Sequence, residues 1–371
     1  MRRQFLAVLA VGSAGLLALT ACGGSSSGST SGAGASSAAT GKVGVILPDS
    51  ASSARWETAD RPFLKAAFDA AGIQSDIQNA GGDVAKFQTI ADGMLSSGVK
   101  VLLIVNLDSD SGAAVVKKAQ AAGVPVIDYD RLTLGGGSTY YVSFDNVAVG
   151  TAIGTGLVKC LKDDGKTSAD GGIIELNGSP TDNNATLFKQ GYDKVIKDAG
   201  YKVVSDTSVP DWDNTKAGTL FQAADTKLKG KYIGVAAAND GLGGAVVARL
   251  KAEGLAGKIP VTGQDATDEG LQRVLLGTQC VTVYKAVKKE AAAASDLAIK
   301  LIKGDKAGAD AVATGVTKDT KLNTDVKSVL LQPEPIYKDN VKDVIADQFT
   351  TADKICTTAA LKTACTANGV S

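Results

Sequence analysis

Residues 101–131 read Val-Leu-Leu-Ile-Val-Asn-Leu-Asp-Ser-Asp-Ser-Gly-Ala-Ala-Val-Val-Lys-Lys-Ala-Gln-Ala-Ala-Gly-Val-Pro-Val-Ile-Asp-Tyr-Asp-Arg. The apolar run Val101–Val105 empties into the polar group Asn106-Leu107-Asp108. A helix-like segment, Ala113–Ala122, stops at Gly123, the residue expected just past a helix end. A second apolar run, Pro125–Ile127, empties into Asp128-Tyr129-Asp130-Arg131. Strand, helix and strand within about 30 residues form the unit of a parallel sheet with a crossover helix.

Outward from this stretch the unit repeats. Apolar runs recur at Val43–Leu47, Tyr140–Val142, Ile173–Leu176, Tyr232–Ala236 and Pro260–Thr262. Between them lie the amphipathic segments Arg61–Ala71, Val84–Ser97, Ala185–Ala199, Thr215–Lys229 and Gly243–Glu253. The segment from 42 to 371 exceeds the size at which one core usually divides. The expectation is an α/β protein of two doubly wound, Rossmann-like domains with parallel sheets.

The polar residues share one structural address, the exit of each strand. Besides Asp108 and Asp128–Arg131, the exits carry Pro48-Asp49-Ser50, Ser143–Asn146, Asn177–Asn184, Asp211–Asn214, Asn239-Asp240 and Gln264-Asp265. In open α/β sheets ligands bind beyond the carboxyl ends of the strands. Any one cluster reads equally as turn chemistry or helix capping. Taken together they hold Arg131 and Gln264, and the only two tryptophans, Trp56 and Trp212, lie outside the apolar runs. A sugar ring has apolar faces and a hydroxyl rim. Two indoles cover the faces, while carboxylates, amides and a planar guanidinium take the hydroxyls.

The first residues carry a different message. Met1-Arg2-Arg3, the apolar run Phe5–Leu19 and Leu19-Thr20-Ala21-Cys22 have the order of an export leader ending in a lipobox. Cys22 is the expected lipidation site and first mature residue. Gly23–Thr40 contains only Gly, Ser, Ala and Thr, the composition of a flexible tether. The expected location is the outer face of the cytoplasmic membrane, with a lipid as the only membrane contact.

With the leader removed, 37 basic residues face 39 acidic ones, which gives no support to a nucleic-acid partner. The chain has no histidine, so the commonest general base and metal ligand are missing. No motif for a cofactor or metal emerges. Gly165-Lys166-Thr167 lacks the upstream glycine of a phosphate loop, and Asp108–Gly112 lacks the ligand pattern of a calcium loop. Four cysteines remain beside Cys22, an even number that suggests disulfides in an exported protein. Of three pairings, Cys356–Cys365 is favoured by proximity in sequence, leaving Cys160–Cys280.

The clusters carry a resemblance. Ala54-Arg55-Trp56, Tyr129-Asp130-Arg131, Tyr141–Asn146, Gly178–Ala185, Asn239-Asp240, Gly263–Ala266, Gly277–Gln279 and Thr282–Lys285 are similar, in order and spacing, to motifs of the sugar-binding proteins of bacterial ABC importers, especially the xylose-binding branch. The resemblance covers nearly all of the chain from residue 42. It implies a periplasmic-binding-protein type I fold with three hinge crossings. One lobe would take 42–165 and 285–325, the other 166–284 and 326–371. It further implies sugar contacts from Arg55, Trp56, Asp130, Arg131, Asn184, Trp212, Asn239, Asp265 and Lys285. Asp145, Asn183, Asp240 and Gln264 are implied as flanking or supporting residues. The implied function is capture of a monosaccharide, D-xylose first and glucose, galactose or arabinose as the broader set, by a monomer that delivers it to a permease and its ATPase. A chemosensory binding protein would share the pocket. A secreted carbohydrate-active enzyme using Asp130 and Asp265 is the rival from another class.

Overall fold

The computed structural model describes residues 41–371. The leader 1–21, Cys22 and all but the last residue of the 22–41 tether lie outside the described residues.

Thirteen strands are present among the described residues: β1 (Lys42–Leu47), β2 (Gln74–Asn79), β3 (Val101–Ile104), β4 (Val126–Tyr129), β5 (Tyr140–Phe144), β6 (Gly172–Asn177), β7 (Val203–Ser208), β8 (Tyr232–Ala237), β9 (Thr262–Gln264), β10 (Val281–Tyr284), β11 (Gly315–Asp319), β12 (Thr324–Leu331) and β13 (Glu334–Ile336). One sheet has the order β11-β12-β5-β4-β3-β1-β2. Its pairings are parallel except at β11–β12. The rest form the runs β7-β6-β8 and β9-β10-β13, joined by a parallel bridge between Val235 and Val261. Only β13 runs antiparallel there.

Helices cover both faces of the first sheet, so its central strands are apolar on both sides. Val43, Val45 and Leu47 of β1 pack towards Leu64, Phe68, Ala294 and Leu297, while Ile46 packs towards Phe87, Ala91 and Val115. That is why β1 and β3 read as unbroken apolar runs. The second lobe has its own core, in which Ile174 and Val235 meet Phe188, Tyr192 and Phe221. The chain thus folds as the expected type I periplasmic-binding-protein architecture.

The lobe boundaries differ from those implied by the resemblance. The helix Asn146–Asp163 lies before residue 165, yet its Val149, Ile153, Leu157 and Leu161 belong to the second core. It crosses the helix Asn183–Asp198 at near backbone contact. A Cβ on Gly150 would lie 2.0 Å from the Phe188 carbonyl oxygen, and one on Gly191 would lie 2.4 Å from that of Val147. The boundary at 325 falls inside β12, because Ser328–Leu331 pair in parallel with Tyr141–Phe144 of the first sheet. The crossings therefore lie beside Asp145, at Lys285–Ala286, and at Gln332–Pro333 between β12 and β13.

Two disulfides have the pairing favoured from the sequence, Cys160–Cys280 and Cys356–Cys365. The first ties the helix after the first crossing to the residue preceding β10, which leads into the second.

Candidate functional site

The carboxyl ends of both sheets face one cleft. The non-atom space between the closed lobes, counted together with the solvent at its mouth, is about 320 Å³. Arg55, Trp56, Asp130, Arg131, Asn184, Trp212, Asn239, Asp265 and Lys285 all line it, as does Gln264. The other flanking residues sit elsewhere. Asp145 caps the helix after the first crossing by accepting from the Ala148 amide at 2.9 Å. Asn183 lines a separate groove with Asp108, Asp110 and Lys321. Asp240 is buried as a structural hub, accepting from the Thr267 amide, the Thr282 hydroxyl and the Gln279 side-chain amide.

Four lining residues escaped the sequence reading as site residues: Ser52, Ser53, Asp182 and Phe188. Asp182 and Asn239 each do two jobs. Both cap helices, accepting from the amides of Asn184 and Leu242, and both face the cleft. Phe188 stands one helical turn after Asn184, a spacing that puts both on one helix face.

The floor is a buried charge network. The Arg55 guanidinium donates through Nε and Nη2 to both oxygens of Asp60, through Nη1 to Asp130 at 2.8 Å, and through Nη2 to Glu290 at 2.6 Å. Four of its five N–H groups are thereby directed at protein carboxylates. Lys285 lies 3.6 Å from Asp130 and 3.2 Å from Asp265. Burial alone would raise the Asp130 carboxyl, but Lys285, Arg55 and Arg131 outweigh it and hold the group down at about 2. Burial opposes the charge on Lys285 as well, yet Asp130 and Asp265 raise it above the ordinary lysine value. Asp130 is thus a fixed anion and Lys285 a fixed cation across the physiological range.

Several bonds run from lobe to lobe. Asn184 donates to the Asp130 carbonyl at 2.8 Å, Ser53 to Asp265 at 3.1 Å, and Asn239 to the Ser52 carbonyl at 3.2 Å. Arg131 Nε forms an ion pair with Asp182 at 3.1 Å, and the Trp212 indole N–H donates to the same carboxylate. The lobes are closed on each other. Within this closed site Gln264 Oε1 is buried without a hydrogen-bond partner, and Arg131 Nε and Asp265 Oδ1 have only their ion-pair contacts to Asp182 and Lys285. Such atoms are costly to leave unmatched and suit a ligand with several donors and acceptors.

The two indoles are held from behind. Trp56 donates to Ser52 Oγ and has the Arg55 guanidinium 4.5 Å from its ring centre. Trp212 packs on Gly178, where a Cβ would lie 2.1 Å from the indole, and edge-on to Phe188 at 6.4 Å. Of the eight non-glycine residues with positive φ among those described, Asp130, Trp212 and Asp265 line the cleft, and Asp211 and Ala266 adjoin two of them in the chain. Backbone strain concentrated at a cleft marks a functional surface.

Comparison with known proteins agrees with this geometry. Residues 43–306 match the model of the periplasmic binding protein domain. The chain belongs to the periplasmic binding protein family. Among relatives of this binding protein, the D-xylose-binding periplasmic protein of Escherichia coli (strain K12) is 34% identical over 313 residues, covering 83% of this chain and 90% of the relative. A multiple sugar-binding periplasmic receptor of Rhizobium radiobacter is 33% identical over 333 residues, covering 83% and 90%. A carbohydrate transporter solute-binding protein of Chloroflexus aurantiacus, solved in complex with D-glucose, superposes with a TM-score of 0.75 at 28% identity, covering 85% of this binding protein and 98% of that chain.

Proposed function

We propose that this binding protein captures a single monosaccharide, D-xylose, in the closed cleft and delivers it to an ABC permease driven by its ATPase. The observation that carries the reading is the composition of the cavity wall: two braced indoles with Asp130, Arg131, Asn184, Asn239, Asp265 and Lys285 around them. Trp56 and Trp212 cover the ring faces. Asp130, charged at all relevant pH, accepts hydroxyl protons. Arg131, Lys285 and the Asn239 amide donate to hydroxyl oxygens. The unmatched Gln264 oxygen and the Asp265 carboxylate accept from the remaining hydroxyls. A sugar lacking one hydroxyl leaves a buried group unpaired, which costs about 1–3 kcal/mol.

On this reading the protein is not an enzyme, and its cleft works without a cofactor or metal. The same reading makes it a monomer, lipidated at Cys22 and held at the outer face of the cytoplasmic membrane. The sugar-binding names of the relatives support the ligand class, and the 34% identity to a D-xylose-binding protein supports xylose within it. The multiple-sugar relative favours a second reading, a broader carrier of glucose, galactose and arabinose.

Calorimetric titration of residues 42–371 with xylose, glucose, galactose, ribose and arabinose separates the two. One-to-one binding of xylose alone upholds the first reading. Comparable binding of several aldoses replaces it with the second, and no binding of any refutes both.

A further inference from the structure

Glu290 lies in the first turn of the helix Val287–Ile302, which opens immediately after the crossing at Lys285–Ala286. It is fully buried and does not line the cleft. One carboxyl oxygen accepts from Arg55 Nη2 at 2.6 Å, and the other has no hydrogen-bond partner. The same guanidinium spans Asp60 and, through Nη1, reaches Asp130. Glu290, Arg55, Asp60 and Asp130 all belong to the first lobe, so this arrangement does not depend on the lobes being closed. Three carboxyls share one planar cation, and a change at any of them changes how the guanidinium is aimed at the others.

We propose that Glu290 is a positioning residue for the ligand site: acting through Arg55, it fixes the orientation and the electrostatic environment of Asp130. The inference rests on the reading of the cleft as a sugar site. It deepens that reading by placing a determinant of affinity outside the cavity wall, at the root of the second crossing.

The charged and titratable groups facing Glu290 are Arg55, Asp60, Asp130 and Lys285, with the Tyr129 and Tyr141 hydroxyls nearby. Burial pushes the Glu290 carboxyl up to about 8, against the pull of Arg55, with Asp130 and Asp60 adding to the rise and Lys285 opposing it. Below that value Glu290 is neutral and still accepts from Arg55 through Oε2, without adding a charge that competes with Asp60 and Asp130. Above it a further anion competes for the guanidinium and repels Asp130. Ligand affinity then falls as the pH rises through this range.

The test compares wild type, Glu290→Gln and Glu290→Ala in D-xylose calorimetry between about pH 6 and 9. Glu290→Ala is expected to weaken binding on the order of tenfold, through loss of a hydrogen bond to a charged group. Glu290→Gln, neutral and still an acceptor, restores the affinity and removes its decline above neutral pH. Equal affinity of Glu290→Ala and wild type throughout overturns the proposal and leaves the sugar reading intact. Carbon-13 carboxyl spectra of the ligand-free proteins provide an independent arm. The Asp130 resonance is expected to move with the Glu290 titration in wild type and to stay still in Glu290→Gln. An Asp130 signal indifferent to that titration overturns the proposal even where wild type binds no aldose.

Discussion

Replacing Asp130 with Asn removes one charge from the centre of the site, together with one of the two acceptor oxygens that face Arg55 and Asn184. Asn has nearly the same size and is among the few residues that tolerate the left-handed backbone, φ 63°, that Asp130 adopts. The structure gives the magnitude. The carboxyl is held at about 2 against an ordinary 3.8, by Lys285, Arg55 and Arg131 acting against burial. That displacement corresponds to about 2–3 kcal/mol of folding stability at neutral pH. Because the folded value is depressed, the stabilisation is complete above the unfolded carboxyl value and disappears as the pH falls through the folded one. About half remains near pH 3. Denaturant unfolding of wild type and Asp130→Asn at pH 7 and pH 3 measures both quantities. The expected loss of about 2–3 kcal/mol at pH 7 shrinks to about half at pH 3. A loss of the same size at both pH values, or none at pH 7, refutes the argument that Asp130 is stabilised as an anion by these cations.

Trp212→Ala should weaken monosaccharide binding by about 1–3 kcal/mol while the protein stays folded, as read by calorimetry beside a thermal melt. Arg131→Ala should do the same, and retained affinity in both variants would remove these residues from the site. The two disulfides should differ in their contribution. Cys160–Cys280 spans 120 residues and Cys356–Cys365 spans 9. On the chain-entropy model their removal costs about 5 and about 2.7 kcal/mol, and unfolding of Cys160→Ser/Cys280→Ser against Cys356→Ser/Cys365→Ser checks the order.

Much of the fold was legible because a sheet covered on both faces writes itself as apolar runs, and β1, β3, β6 and β8 each give one. β12 was not, since Thr324–Leu331 carries Asp325, Lys327 and Ser328 and only Ser328–Leu331 joins the first sheet beside β5. Nor did the sequence assign the helix Asn146–Asp163 to its lobe. Its apolar face fits either core, and what decides is the close approach permitted by Gly150 and Gly191, a contact between segments distant in the chain. At the site, the polar residues with unusual chemistry stood out by their position after strands. Asp182 did not, because a cap at the start of a helix accounts for it fully until the fold brings Arg131 and Trp212 to its other oxygen. Glu290 gave no signal at all. A carboxylate on an amphipathic helix is ordinarily solvated, and only the packed structure shows it buried against Arg55.

The left-handed backbone at Asp130, Trp212 and Asp265 also restricts how this pocket can change over evolutionary time. At such positions most side chains bring a conformational cost of about 1–3 kcal/mol, and asparagine, aspartate and glycine escape most of it. Mutational drift at Asp130 and Asp265 is therefore channelled into exchanges between charge and neutral amide, or into loss of the side chain. Asn184, Phe188 and Gln264 stand on ordinary helix or strand backbone and carry no such restriction. A lineage adapting this pocket to a different ligand would find its accessible steps at those three positions, with the left-handed aspartates persisting as the inherited part of the design.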